Sequence, residues 1–213
     1  MRTSTIKTKL FLSLFASAVV FSSCKKDSGS NNTTPSTLPA PISNIVPQSM
    51  IDSLQKAGAV INTGTTPPIV NGIYLMHTDS CVYDNSPGNF AGSIFDDYKF
   101  QFADQDNSAF TITVSQKDEE TGISNANPAS TYISGSGSKF SIFILRTSSP
   151  SGIQVQQFNI LSGTLTAAGI QGFQNTLYLR SKVGDPSNTI APAGTIRVFD
   201  NGVPGLAAIS STF

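Results

Sequence analysis

"DYKFQFADQDNSAFTITV", residues 97–114, decides the fold. Tyr98, Phe100 and Phe102 alternate with Lys99 and Gln101, and Phe110, Ile112 and Val114 alternate with threonines after a polar interval. Successive side chains on a strand point to opposite faces, so each run has one apolar face to bury. The interval from Asp104 to Ser108 is made of turn-favouring residues, and the two runs read as a β-hairpin.

The same grammar extends downstream. "STYIS" is followed by the turn "GSGS" at 135–138 and by "KFSIFILR", in which Phe140, Ile142 and Ile144 share a face. Residues 142–145 are apolar on both faces, so that strand is expected to be covered on both sides or to lie against a helix. Further strands fit 153–160, 162–167, 175–182 and 195–200. About eight to ten short strands at hairpin spacing, with no helices between them, predict an all-β antiparallel barrel, with a β-sandwich as the alternative. No internal period supports a propeller or solenoid. Phe-rich alternation would line a barrel with apolar rings, and an eight-stranded interior is either just filled or just large enough for a ligand. The sequence leaves that choice open.

Upstream, Pro47 suits the first turn of a helix, Met50, Ile51 and Leu54 give it one apolar side, and Gly58 suits its C-terminal cap. One short helix over 47–57 is predicted. "SGSNNTTPSTLPAPISN", 28–44, has little to bury and is punctuated by prolines, so it reads as a flexible tether. The domain reading is a leader over 1–23, Cys24 and tether over 24–45, and a barrel domain over 46–213.

At the N-terminus, Arg2, Lys7 and Lys9 precede the apolar run 10–21, the pattern of a secretory signal and too short to span a membrane. Ser22, Ser23 and Cys24 then resemble the lipobox of bacterial lipoproteins, in the relaxed form found in Bacteroidetes. The resemblance implies cleavage before Cys24 and acylation of that cysteine, which would then be unable to pair with Cys81. Several acyl chains hold a protein firmly on a membrane surface, with Lys25 and Lys26 near anionic headgroups. The expected location is the outer membrane, at the cell surface or on its periplasmic face. Without its leader the chain keeps 10 basic against 13 acidic residues, a net charge of −3, which does not favour nucleic acid. Charged residues are 12% of the chain, low for a globular protein and consistent with neutral polar outer faces.

Sites of chemistry are sparse. "HTDSC" would place His77, Asp79 and Cys81 on one strand face, where they could ligate a metal or make a cysteine nucleophile. His77 is the only histidine, so the blander reading is a strand with a buried thiol. "DQDNS" begins like a calcium loop but has Ala109 and Ser115 where an EF-hand needs Gly and a bidentate acid, which leaves a hairpin tip. Asp96 with Asp97, and Asp118 with Glu119 and Glu120, could supply a hydrolase's two carboxylates but suit a solvated edge better. With no Trp, a sugar-stacking platform is disfavoured, and no Gly-x-Ser-x-Gly, P-loop or dinucleotide fingerprint occurs.

Gly72-Ile73-Tyr74, after a helix and a Pro-rich approach, resembles the Gly-x-Trp opening of lipocalins, which implies a basic residue, Arg197 or Arg180, packed across the ring. "PPIVNGIY" after "SMIDSLQKAGAVINTG", with "YISGSGSKFSIFI" beyond, is similar to β-rich Bacteroidetes lipoproteins without an assigned activity. The functional expectation is a non-catalytic, membrane-anchored envelope protein, without cofactor or metal, that binds a small apolar ligand or an envelope protein. Tyr74, His77 and Tyr83 are the candidate ligand residues near the first strand. A filled structural or adhesive module is the alternative, and an enzyme using His77 and Cys81 a further one.

Overall fold

Inward-facing Phe and Ile rows are buried either between two packed sheets or inside a sheet that closes on itself, and closure is what the computed structural model shows. It describes residues 38–125, 130–202 and 205–213, so the leader, Cys24 and most of the tether lie outside the described residues. In chain order the elements are α1 (Ala40–Ser43), α2 (Gln48–Lys56), β1 (Thr65–Thr66), β2 (Gly72–Met76), β3 (Asp79–Asp84), β4 (Ile94–Phe95) and β5 (Tyr98–Asp106). They continue with β6 (Thr111–Asp118), β7 (Ser124–Asn125), β8 (Ser130–Ser136), β9 (Lys139–Ser148), β10 (Gln154–Thr166), β11 (Gly169–Val183), β12 (Ile196–Asp200) and β13 (Leu206–Ile209).

Several of these strands are halves of longer, bent staves. The register that joins Gly72 to Phe102 and Met76 to Tyr98 continues unchanged through Asp79 to Phe95 and Ser80 to Ile94, so β2 with β3 and β4 with β5 form one interrupted hairpin. On the other side β12 pairs β3 and β13 pairs β2. Counted as staves, the chain forms an eight-stranded antiparallel barrel in which each stave neighbours the next in sequence, and the pairing of the last stave, β12 with β13, to the first, β3 with β2, closes the ring. The β6–β8 seam is narrow, with Thr111 opposite Tyr132 and the Ile133 amide donating to the Phe110 carbonyl at 2.8 Å. Closure rules out the sandwich. β1 is a parallel addition to β8.

Alternation decides what lies inside. Phe100, Phe102, Ile112, Val114, Phe140, Ile142 and Ile144 enter the interior, as their spacing predicts. Phe143, Phe158, Ile160 and Val198 face outward and are covered by Ile51 and Leu54 of α2, so the doubly apolar run is covered on both sides. The helix occupies 48–56 with Pro47 and Ala57 as its caps. Packing begins earlier than the tether reading allows: Pro41 lies in the first turn of α1, and Ile42 beside it is fully buried in the cluster of α2. The runs 153–160 and 162–167 are one strand, β10, since Gly163 lies inside it where the Ile170 methyl occupies the space of a Cβ. Among the described residues no helix is long and apolar enough to cross a membrane.

Candidate functional site

The interior is layered along the barrel axis. At one end Phe100, Phe102, Phe140 and Phe173 interlock, with ring centroids 5.3 Å apart for Phe100–Phe173 and 6.4 Å for Phe102–Phe140 and Phe102–Phe173. Fully buried Val70 closes this end; its amide donates to Gln105 Oε1 at 2.8 Å, and Gln105 Nε2 donates to the Pro68 carbonyl at 2.7 Å.

Halfway up, rings give way to amides. Asn159 Nδ2 donates to Asn175 Oδ1 at 3.2 Å, and Gln157 Nε2 donates to Asn159 Oδ1 at 3.1 Å. Asn159 lies opposite Ile144, and Asn175 opposite Leu161, so both amides project inward from β10 and β11. Above them the barrel opens into a cavity of about 890 Å³ whose walls include Phe90, Val155, Leu177, Leu179 and Ile190. Gln157, Thr195 and Arg197 add polar groups to it. Small-molecule sites are concave, mainly apolar, carry a few polar groups and fall in this size range.

Two rim loops are held in fixed conformations. After β3, the Asp84 carboxylate accepts from the Ser86 amide at 2.7 Å, the Ser86 hydroxyl at 2.9 Å, the Phe90 amide at 3.0 Å and Arg197 Nε at 3.0 Å. Burial alone would raise the Asp84 pKa, but the amides of Phe90 and Ser86, the Ser86 hydroxyl and Arg197 together hold it below its ordinary value. Arg197 also stacks on the Phe90 ring, 4.8 Å from its centroid. Between β11 and β12, Asp185 accepts from Lys182 Nζ at 2.7 Å and from the amides of Thr189 and Ile190 at 2.8 and 3.0 Å. Lys182 first, then those amides, hold its carboxyl far below the usual carboxylate range. A preorganised rim reduces the ordering cost of binding.

Arg146 is the exception to this satisfaction. It follows Phe140, Ile142 and Ile144 on the inward face of β9, directly opposite Gln157; Gln157 and Ser148 line the cavity, whereas Arg146 is not among its lining residues. Its Nε and Nη2 are buried without a hydrogen-bond partner among the described residues, and burial lowers its pKa.

The sequence-derived candidates are dispersed. Tyr74 is 4% exposed at the filled end, where its hydroxyl donates to the Val70 carbonyl at 3.1 Å and its ring packs 5.6 Å from Phe102. His77 stands in solvent with Nδ1 2.6 Å from Asp97 Oδ2. Tyr83 packs outside the barrel, against the cluster of α2. The cavity is lined by none of the three, because Tyr74 lies too deep, and His77 and Tyr83 point outward. Thr78, at φ 60°, breaks the alternation of "HTDSC", so Asp79 and Cys81 are buried while His77 is not. Cys81 is 1% exposed inside the barrel; burial first, and then Asp84, raise its thiol pKa, which disfavours a nucleophilic thiolate. It has no disulfide partner among the described residues. Neither expected arginine covers Tyr74, since Arg197 is held by Asp84 and Phe90, and Arg180 lies over Phe158. The "DQDNS" stretch is a hairpin tip in which Asp106 Oδ1 accepts from Ser108 and Ala109 amides. No cluster of three or more His, Cys, Asp or Glu suited to a metal occurs among the described residues.

Arg146 and Gln157 escaped the sequence reading, yet a signal was present: in "KFSIFILR" the arginine continues the inward parity of Phe140, Ile142 and Ile144. Comparison with family models, curated proteins and solved structures gives no match.

Proposed function

We propose that this chain is a non-catalytic, membrane-anchored envelope lipoprotein whose barrel binds a small, largely apolar molecule. The cavity of about 890 Å³ at the open end carries the reading. Its apolar walls supply the driving force for uptake, and its fixed rim supplies shape. The lipobox-like Cys24 supports the anchor, which would keep the barrel at the outer membrane, where sparingly soluble molecules are concentrated.

Native mass spectrometry of the protein, gently purified from the cells that make it and compared with its denatured mass, tests the reading. A discrete excess mass lost on denaturation is the expected result. No excess mass, even after incubation with an envelope lipid extract, would refute ligand binding in favour of a structural or adhesive module.

A further inference from the structure

The seam that closes the ring is interrupted on both of its staves. β2 ends at Met76 and β3 begins at Asp79, while β12 ends at Asp200 and β13 begins at Leu206. Ser80 lies opposite Asp200, so Asp79 and Asn201 are the next cross-strand neighbours, just beyond the last backbone pair of β3 with β12. They keep the inward parity of Cys81 and Phe199, two residues from each, and are 3% and 4% exposed. Each presents a buried Oδ1 with no hydrogen-bond partner among the described residues. While Asp79 is ionised both atoms are acceptors only, so neither satisfies the other, and an unpaired buried polar atom is costly. The charges of Asp200 and Asp97 add to that of Asp79, and no lysine or arginine among the described residues forms an ion pair with any of the three. The missing partner is a positive centre.

Oxygen donors suit a hard cation, and an irregular set of them suits calcium better than magnesium, which demands a near-ideal octahedron. The softer donors nearby are engaged elsewhere: Cys81 Sγ donates to the Tyr83 carbonyl at 3.4 Å, and His77 stands in solvent against Asp97. We infer that Asp79 Oδ1 and Asn201 Oδ1 are two protein ligands of a calcium ion that ties the first stave to the last where their backbone pairing lapses, the other ligands being backbone carbonyls and water. Neither residue lines the cavity, so the site stands whether or not the barrel takes a ligand. A proton on Asp79, or an Asn201 amide turned to present Nδ2, would also supply a donor, and either predicts indifference to calcium.

The test is isothermal titration of the purified full chain, freed of metal with a chelator, with calcium chloride and with magnesium chloride. One calcium per chain is expected, with a Kd on the order of 0.1–1 mM, the range of extracellular sites, and magnesium roughly tenfold weaker. Asp79→Asn should weaken calcium binding at least tenfold. Urea midpoints add a readout that a merely structural role would not move. In chelator the substitution removes an uncompensated buried charge, whereas in saturating calcium it removes a ligand, so the variant and the unaltered chain should rank in opposite order under the two conditions. Hydrogen exchange on the unaltered chain keeps the test valid if the variant fails to fold: calcium, and not magnesium, should raise protection at the Cys81 and Asn201 amides, which donate to the Ser93 and Phe173 carbonyls beside the site. No calcium binding, or no local change in exchange, would overturn the inference in favour of the proton or the turned amide. Binding that persists unchanged in folded Asp79→Asn would place the ion on exposed acidic residues and overturn it as well.

Discussion

Asp79 is 3% exposed, and its Oδ1 has no hydrogen-bond partner among the described residues. Burial, and then the charges of Asp200 and Asp97, raise its pKa from 3.8 to about 7. The sign follows directly. A carboxyl whose folded pKa lies above its unfolded one contributes stability that is fully present below the unfolded value and is lost as pH rises through the folded value. The folded protein should therefore weaken between about pH 4 and about pH 7 from this group. Asp79→Asn keeps the shape and cannot ionise; it should stabilise the protein by roughly 1–3 kcal/mol at pH 8 and little at pH 4. Urea midpoints at the two pH values check this, and an equal effect at both would remove the ionisation argument. Sequence alone conceals this residue, because the left-handed turn at Thr78 inverts the alternation that would otherwise group His77 with it. Arg146, by contrast, is legible from parity alone, since no bulge interrupts β9 against β10 between Phe140 and Ser148.

Among the elements, the hairpins over 97–114 and 130–146 and the helix are read correctly because each is set by local chemistry: alternation, turn residues and a proline at a helix start. The short strand β13 is not. "LAAI" is small and weakly patterned, and it is a strand because β2 and β11 present edges on either side of it. Gly169 makes that fit possible. At φ 139° it sits opposite Ala208, and a Cβ there would collide with the Ala207 carbonyl. Gly169→Ala should therefore force β13 away from β11 and cost roughly 1–3 kcal/mol. Hydrogen exchange gives the local readout. Protection should fall first at Ala207 and Ala208, and uniform loss across the barrel would contradict the local account.

For the whole molecule, closure and partial filling emerge from how the strands combine, which no single segment reveals. Whether an eight-stranded interior is full or empty depends on Phe102 and Phe173 facing each other at one level while Asn159 faces Asn175 at another, contacts between residues far apart in the chain. The two halves should respond differently to truncation. Phe102→Ala opens a void in interlocked rings and should cost about 3–5 kcal/mol. Leu179→Ala enlarges a space that already exists and should cost only about 1–2 kcal/mol. Comparable losses in denaturant melts would mean that the open half is as tightly packed as the filled one.

The layered interior also bears on how such a protein can change over generations. Substitutions at Val155, Leu177, Leu179 and Ile190 alter the walls of the mouth, while the rings that hold the barrel shut lie on other residues of the same sheet. A lineage can then reshape the open half by redrawing the rim, with the fold underwritten at the opposite end.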